Sequence, residues 1–275
     1  MKAKYDIVIV GSGLGGLVSA AILSRHGYSV CVTTQIGCKV GCAFCASCLA
    51  GFERNLSTGE IVEQVIYWDK YLKEIDERVS HIVVMGTGEP LQNIESLFGF
   101  LDIMNDPDGL KIGARHMTVS TSGIVPGIEK FSDYPKQVNL AISLHAANDK
   151  LRTELIPINK KYPLDKLIAS LTTYQLKTKR QLTFEYILIK GVNDSMKNID
   201  ELIRIAWKFD CVVNLIKYNP IEEYDFSAPS EKEIEKIIDH LKSKKVVVTY
   251  RKQLGDQIDG ACGQLRLRKL KEKDG

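Results

Sequence analysis

From about position 29 onward the chain alternates short β-branched apolar runs with longer segments whose apolar positions recur every three or four residues. The runs at 29–34, 81–85, 117–121, 138–144, 182–189, 212–218 and 245–250 predict strands. The amphipathic segments at 58–73, 93–104, 164–176, 196–208 and 230–241 predict helices. Strand, helix, strand repeated in this way predicts a parallel sheet covered by helices, an α/β fold. Periodicity leaves open whether the sheet closes into a barrel. In either form the reactive groups gather at the carboxyl ends of the strands. Four polar motifs fall at such ends: Met85-Gly86-Thr87-Gly88-Glu89-Pro90, Ser120-Thr121-Ser122-Gly123, Ser143-Leu144-His145 and Asn219-Pro220.

The first 26 residues follow a different pattern. The run 6–10 leads into Gly11-Ser12-Gly13-Leu14-Gly15-Gly16 and then a small-residue segment, which predicts a Rossmann-like strand, loop and helix. The acid that would hold ribose hydroxyls at the end of the next strand falls on Thr33 or Thr34, so the fingerprint is incomplete and neither FAD nor NAD is expected. The stretch 7–23 is uncharged and largely apolar behind Lys2 and Lys4, in the manner of a signal sequence. Its glycines suit a strand-to-helix turn better, and the chain is read as cytoplasmic and not membrane-bound.

Composition changes this picture little. A net charge of +3 over 275 residues excludes a polycation. Basic residues gather locally at Lys160-Lys161, at 177–180 and in the tail 266–275, where they either line a phosphate-facing surface or form solvated faces.

The cysteines change it more. Five of the seven are Cys31, Cys38, Cys42, Cys45 and Cys48, and the inner three are spaced Cys38-x3-Cys42-x2-Cys45. That spacing is the signature of a 4Fe-4S cluster held by three thiolates, which leaves one iron open to bind and reduce a small molecule. A structural zinc site needs a second ligand pair, and Cys211 and Cys262 have no Cys or His companion. A disulfide framework needs a denser set. Cys48 and Cys211 read as packing residues, Cys48 alternatively as a spare thiol near the cluster.

From 27 to about 265 the sequence resembles the radical S-adenosylmethionine (SAM) RNA methyltransferases that modify carbon 2 of adenosine in 23S rRNA and tRNA. The motifs that carry the resemblance run from Val30-Cys31-Val32-Thr33-Thr34-Gln35 through Gly51-Phe52-Glu53-Arg54-Asn55-Leu56, Gly86-Thr87-Gly88-Glu89-Pro90-Leu91 and Ser143-Leu144-His145-Ala146. Pro157-Ile158-Asn159, Gly191-Val192-Asn193-Asp194, Tyr218-Asn219-Pro220 and Ala261-Cys262-Gly263-Gln264-Leu265 continue them.

The resemblance implies a partial (βα)6 radical SAM barrel over 27–265, between the fingerprint-like segment 1–26 and a basic tail 266–275. It implies that Cys38, Cys42 and Cys45 hold the cluster, that SAM chelates its open iron, and that Gly88, Glu89, Ser120, Ser143, Leu144, His145 and Asn219 contact SAM. Cys262 matches the cysteine that first accepts a methyl group, and Cys31 its partner thiol. Carbon 2 of adenine is not nucleophilic, so a methyl parked on Cys262 must add to the ring as a carbon radical. Cys31 then releases the thioether by forming a disulfide with Cys262. The implied partners are 23S rRNA, tRNA and a flavodoxin-like electron donor, with the chain a monomer.

The alternatives are a carbon 8 adenosine methyltransferase of the antibiotic-resistance type, or a truncated chain that binds cluster and SAM but turns over poorly. Two features depart from the family. Its N-terminal accessory domain is missing, and its upstream glutamate falls here on Val18. The segment 1–26 instead resembles the opening of FAD-dependent desaturases and amine oxidases, as in a chimera.

Overall fold

The computed structural model describes residues 7–12, 17–24, 27–49 and 51–251. In chain order the strands and helices are β1 (Ile7–Ser12), β2 (Leu17–Ser24), β3 (Gly27–Cys31), β4 (Gln35–Gly37), α1 (Ala46–Leu49), β5 (Phe52–Asn55), α2 (Thr58–Lys73), β6 (Val79–Val84), α3 (Ile94–Asn105), β7 (Met117–Thr121), α4 (Val125–Ser132), β8 (Asn139–Ser143), α5 (Asp149–Leu155), α6 (Leu164–Thr178), β9 (Leu182–Leu188), α7 (Met196–Ala206), β10 (Cys211–Lys217), α8 (Glu231–Ser243) and β11 (Val247–Arg251). Among the described residues the main sheet runs β1-β2-β3-β6-β7-β8-β9-β10-β11. From β3 to β11 every neighbouring pair is parallel. Among the described residues the sheet does not close on itself, and the fold is a partial barrel with helices on its outer side. No helix among the described residues is long and apolar enough to cross a membrane.

The helices form where periodicity and caps agree. Helix α2 buries Ile61, Val65, Trp68 and Leu72, one stripe at helical spacing, and opens on a capping box between Ser57 and Glu60. Helix α8 repeats the device with Ser230 and Glu233. The predicted helices are found as α2, α3, α6, α7 and α8, but α1, α4 and α5 had no predicted counterpart. Pro126 lies in the first turn of α4, where its missing N–H costs nothing. Gly127 is where Leu91 presses on the helix, since a Cβ there would lie 2.6 Å from Leu91 Cβ.

The start of the chain corrects the expected Rossmann-like strand, loop and helix. Residues 17–24 form strand β2, antiparallel to both β1 and β3, with Ala20 opposite Cys31. A short uncharged apolar run fits either helical or strand period. Pairing with β3 satisfies a row of backbone groups that an edge strand would leave open, and that decides the outcome.

Alternation along each strand sorts side chains onto the two faces of the sheet. Val30, Ile82, Val119, Ile142, Phe184 and Val213 are fully buried and belong to the core beneath the helices. The other face carries Cys31, Ser120, Ser143, Glu185, Asn214 and Thr249. The last four are in register across neighbouring strands. This inner polar face opens toward the strand ends that the motifs occupy.

The helix layer carries most of the stability. Phe100→Ala on α3, where the ring is fully buried, will cost about 3–5 kcal/mol. Tyr67→Ala on α2, 61% exposed, will stay within about 0.5 kcal/mol. Urea midpoints at unchanged slope measure both, and equal midpoints would contradict this assignment of the core.

Candidate active site

Past β4 the chain turns through Gly37, whose φ is +76° and whose Cβ position would fall 1.6 Å from the carbonyl oxygen of Gly51. Only glycine allows β4 and the residues before β5 to approach this closely. The loop that follows descends in tight turns, with Cys45 N–H donating to Cys42 O at 3.3 Å and Cys48 N–H to Cys45 O at 3.1 Å. Cys38, Cys42, Cys45 and Cys48 are all partly exposed. The sulfur of Cys48 accepts hydrogen bonds from the other three, which drives its own pKa far below the ordinary thiol range. The same bonds to Cys48, reinforced by burial, push Cys38 and Cys42 well above it. Among the described residues no three His, Cys, Asp or Glu side chains surround a single-ion position; the thiols are joined to one another through Cys48. Cys48 therefore belongs to the sulfur set, which corrects its reading as packing and agrees with the alternative of a spare thiol.

Thiols gathered in one loop and hydrogen-bonded to one another form a soft donor set, which suits an electrophilic metal group. Beneath them lies a small apolar layer of Val40, Ala146, Leu155, Ile156, Ile189 and Tyr218, with Phe44 packed against it. That layer limits water on the inner side of the loop.

The Gly86-Thr87-Gly88-Glu89 segment leaves β6 and locks onto the residues between β3 and the cysteine loop. Thr87 N–H donates to Thr33 Oγ1 at 3.1 Å, and Glu89 N–H to Gln35 Oε1 at 2.8 Å. Gly88 has φ +109°, and a Cβ there would meet the Gln35 side chain at 2.6 Å. The Glu89 carboxylate is buried and takes four donors: Thr121 Oγ1 at 2.7 Å, Ser122 N–H at 2.7 Å, Ser122 Oγ at 2.7 Å and Leu91 N–H at 3.1 Å. Burial raises its pKa, against the pull of these bonds. In this arrangement both Glu89 oxygens are committed to the protein. Glu89 ties the end of β6 to the end of β7, and a ligand here would reach the segment through Gly88 and the backbone.

The remaining predicted positions gather at neighbouring strand ends. Ser120 Oγ and Ser143 Oγ lie 3.3 Å apart. The N–H groups of Leu144 and His145 both donate to Glu185 O. His145 has φ +55° and is buried, its ring edge-on to Phe44 at 5.1 Å. Ile187 N–H donates to His145 Nδ1 at 3.1 Å, which places the ring proton on Nε2. Burial, with the field of Arg152 second, lowers the His145 pKa to about 3. The imidazole is thus a neutral donor through Nε2. Asn219 follows β10, half-buried. Cys31 stands on the inner face at the end of β3, opposite Val83 of β6. Cys262 and the basic tail lie outside the described residues. Cys211 is buried and donates to Ala206 O, away from the site, in keeping with a packing role.

Four residues of the site escaped sequence reasoning. Asn193, fully buried, donates to His145 O at 2.8 Å and Ile187 O at 2.6 Å and accepts from Ile189 N–H at 2.8 Å. Arg152 and Asn159 are buried beside the β7 and β8 ends. Glu185 accepts from Asn214 Nδ2 at 2.8 Å on the inner face. Asn159 and Asn193 stand inside motifs already quoted, each directly after a β-branched apolar residue, and that was their only signal.

The buried neutral His145 predicts an acid dependence. Its folded pKa of about 3 lies below the 6.5 of the unfolded chain. Between those values the unfolded state binds the extra proton, so stability is lost progressively as pH falls from about 6.5 toward 3. Urea unfolding of the metal-free protein should show this slope, and His145→Gln should flatten it; identical slopes would refute the assignment.

A family model for the radical SAM superfamily matches residues 32–203. Among curated relatives, "Probable dual-specificity RNA methyltransferase RlmN" of Staphylococcus saprophyticus is 48% identical over 258 residues, covering 93% of this chain and 71% of the relative. The counterpart of the same name in Geobacillus kaustophilus is 50% identical over 254 residues, covering 92% and 70%. A crystal structure of a radical SAM methyltransferase from Sphaerobacter thermophilus superimposes with a TM-score of 0.89 at 38% identity, over 94% of this chain and 81% of that one. SuiB of Streptococcus suis bound to S-adenosylmethionine shares the fold at TM-score 0.58 and 16% identity. The half-open parallel barrel, the three-cysteine loop at its mouth and these likenesses agree: the chain belongs to the radical SAM superfamily and, within it, to the RlmN family of dual-specificity RNA methyltransferases.

Proposed function

We propose that this protein methylates carbon 2 of an adenosine in 23S rRNA and tRNA, using Cys262 as the methyl carrier and Cys31 as the resolving thiol. The observation that carries the reading is the placement of the cysteine loop at the open mouth of the parallel half-barrel, with Cys31 on the inner polar face of the same sheet. The relatives are dual-specificity enzymes, and the carbon 8 alternative is not favoured.

In this reading Cys38, Cys42 and Cys45 hold a 4Fe-4S cluster, and SAM lies along the strand ends against Gly88, Ser120, Ser143, Leu144, His145 and Asn219. When bound, cluster and SAM supply a one-electron reductive cleavage that yields a 5'-deoxyadenosyl radical. The residues of the chain do the rest. Ser120 and Ser143 offer hydroxyls on neighbouring strands, and His145 offers a neutral Nε2–H donor that keeps its proton across the physiological range. Glu89 keeps the ends of β6 and β7 together. Val40, Phe44 and Tyr218 exclude water from the inner side of the loop.

Cys262 offers a thiolate that accepts a methyl group, and Cys31 attacks at Cys262 to free the product RNA as a disulfide forms between them. That disulfide needs two electrons before another turnover. We assign the reducing equivalents to a flavodoxin-like donor, the location to the cytoplasm and the working form to a monomer. The segment 1–26 precedes the catalytic core at 27–265, and 266–275 is a basic tail.

Two measurements test the reading. Anaerobically reconstituted protein should bind about four irons and four sulfides per chain, and Cys42→Ala should lose them; stoichiometric zinc, or full iron in the variant, would overturn the cluster assignment. In denaturing gels of reactions with RNA, Cys262→Ala should give no covalent adduct, while Cys31→Ala should trap protein on RNA. Full methylation by Cys262→Ala, read by mass spectrometry of the RNA, would sink the methyl-carrier role.

A further inference from the structure

Arg152 on α5 is fully buried, at 0% exposure. A guanidinium so placed is ordinarily paired with a carboxylate, because an unpaired buried charge is costly. No Asp or Glu among the described residues lies within ion-pair distance of it. Its donors go to neutral oxygens instead: Nε to Leu144 O at 3.2 Å, one terminal nitrogen to Ser122 O at 2.6 Å and Ser143 O at 3.3 Å, the other to Asn159 Oδ1 at 2.8 Å. Asn159 passes the interaction on, donating to Asp149 Oδ1 at 2.8 Å. The counter-charge is therefore one amide away. The helix that carries Arg152 lies against the cysteine loop: Ala43 N–H, next to Cys42, donates to Leu155 O at 3.0 Å, and Cys38 and Cys42 pack against the layer that contains Leu155 and Ile156.

A planar fork that binds three carbonyls explains an arginine, but the same carbonyls could be met by neutral donors. What neutral donors cannot supply is a permanent positive charge under the sulfur loop. On the cluster reading above, the negative group that Cys38, Cys42 and Cys45 hold is a second counter-charge for Arg152 besides Asp149.

We infer that Arg152 is a positioning residue with an electrostatic role, in which its buried charge raises the electron affinity of the iron-sulfur group held beside Cys42 while its fork holds the β7 and β8 ends in place. One electron passes from an external one-electron reductant to the oxidised cluster, whose net charge becomes more negative by one. A fixed cation in a low-dielectric surrounding favours that reduced form. Asp149, bound through Asn159, moderates the effect.

The test uses the full chain, reconstituted anaerobically, as wild type, Arg152→Gln, Arg152→Lys and Asp149→Asn. Iron and sulfide are measured first, then the cluster is titrated with dithionite and followed by electron paramagnetic resonance. At fixed potential, Arg152→Gln should lower the reduced-to-oxidised ratio about tenfold, ~59 mV for a one-electron couple. Arg152→Lys, which keeps the charge but not the fork, should stay within about threefold of wild type. Asp149→Asn removes the moderating charge and should shift the ratio the opposite way from Arg152→Gln. Unchanged ratios in Arg152→Gln and Asp149→Asn at full iron content would overturn the inference, and so would a lysine variant that shifts as far as the glutamine one. Should Arg152→Gln fail to fold, Asp149→Asn decides alone: a higher ratio supports the electrostatic role and an unchanged one rejects it. Absence of iron from the wild type would instead refute the cluster reading itself.

Discussion

A parallel sheet that is buried at its carboxyl ends faces a problem of unpaired backbone. Where the strands stop, amide and carbonyl groups lose their neighbours, and each one left unsatisfied away from water costs about 1–3 kcal/mol. This protein solves the problem with two buried charges of opposite sign. The Glu89 carboxylate collects donors, the backbone of Ser122 and Leu91 and the hydroxyls of Thr121 and Ser122. The Arg152 guanidinium collects acceptors, the carbonyls of Ser122, Ser143 and Leu144. Ser122 is served by both, its N–H by the anion and its carbonyl by the cation. The mouth of the half-barrel thus has fixed walls, and the placement of Ser120, Ser143 and His145 follows from them.

The same arrangement sets the electrostatics. Burial in a medium of low effective dielectric strengthens every interaction among the site's charges. His145 responds by staying neutral, its Nδ1 taken by the Ile187 amide. The sulfurs respond unequally, the Cys48 pKa falling and those of Cys38 and Cys42 rising. Glu89 lies within its own cage of donors and Arg152 has no carboxylate beside it, so the two buried charges do not cancel as an ion pair. The cation is left to act on the sulfur loop.

Much of this was legible in the sequence because the main patterns are local. Strand and helix periods predicted the parallel α/β sheet, and the three-cysteine spacing with the strand-end motifs predicted which residues meet at the mouth. What was not legible depended on partners distant in sequence. Leu17–Ser24 reads as a helix until the open edge of β3 is available for pairing. Helix α4 went unpredicted, and the fold shows Leu91 packed against its Gly127. Arg152 sits in an ordinary charged stretch, and only the fold shows that it turns inward. Glu89 was correctly placed at a strand end, but the sequence could not show that Thr121, Ser122 and Leu91 already occupy its oxygens.

The link between β3 and the cysteine loop bears on how the two thiol functions can work together. Thr33 exchanges hydrogen bonds with the Gln64 side chain, N–H to Oε1 at 2.9 Å and Nε2 to the carbonyl at 2.9 Å. Thr34 O accepts from Asn93 Nδ2 at 3.0 Å, and Gln35 is held between Glu89 N–H and Asn55. Every residue of the segment between Val32 and β4 is therefore clamped to α2, to β5 or to the Gly86-to-Asn93 turn. Cys31 at one end of this segment and Cys38 at the other are fixed relative to each other. In the proposed reaction the resolving thiol is then a stationary element of the barrel. Disulfide formation with Cys262 requires the two Cα atoms to come within roughly 7 Å. A fixed resolving thiol suits this chemistry, since Cys31 acts last and has only to be in place when the sulfur of the adduct meets it.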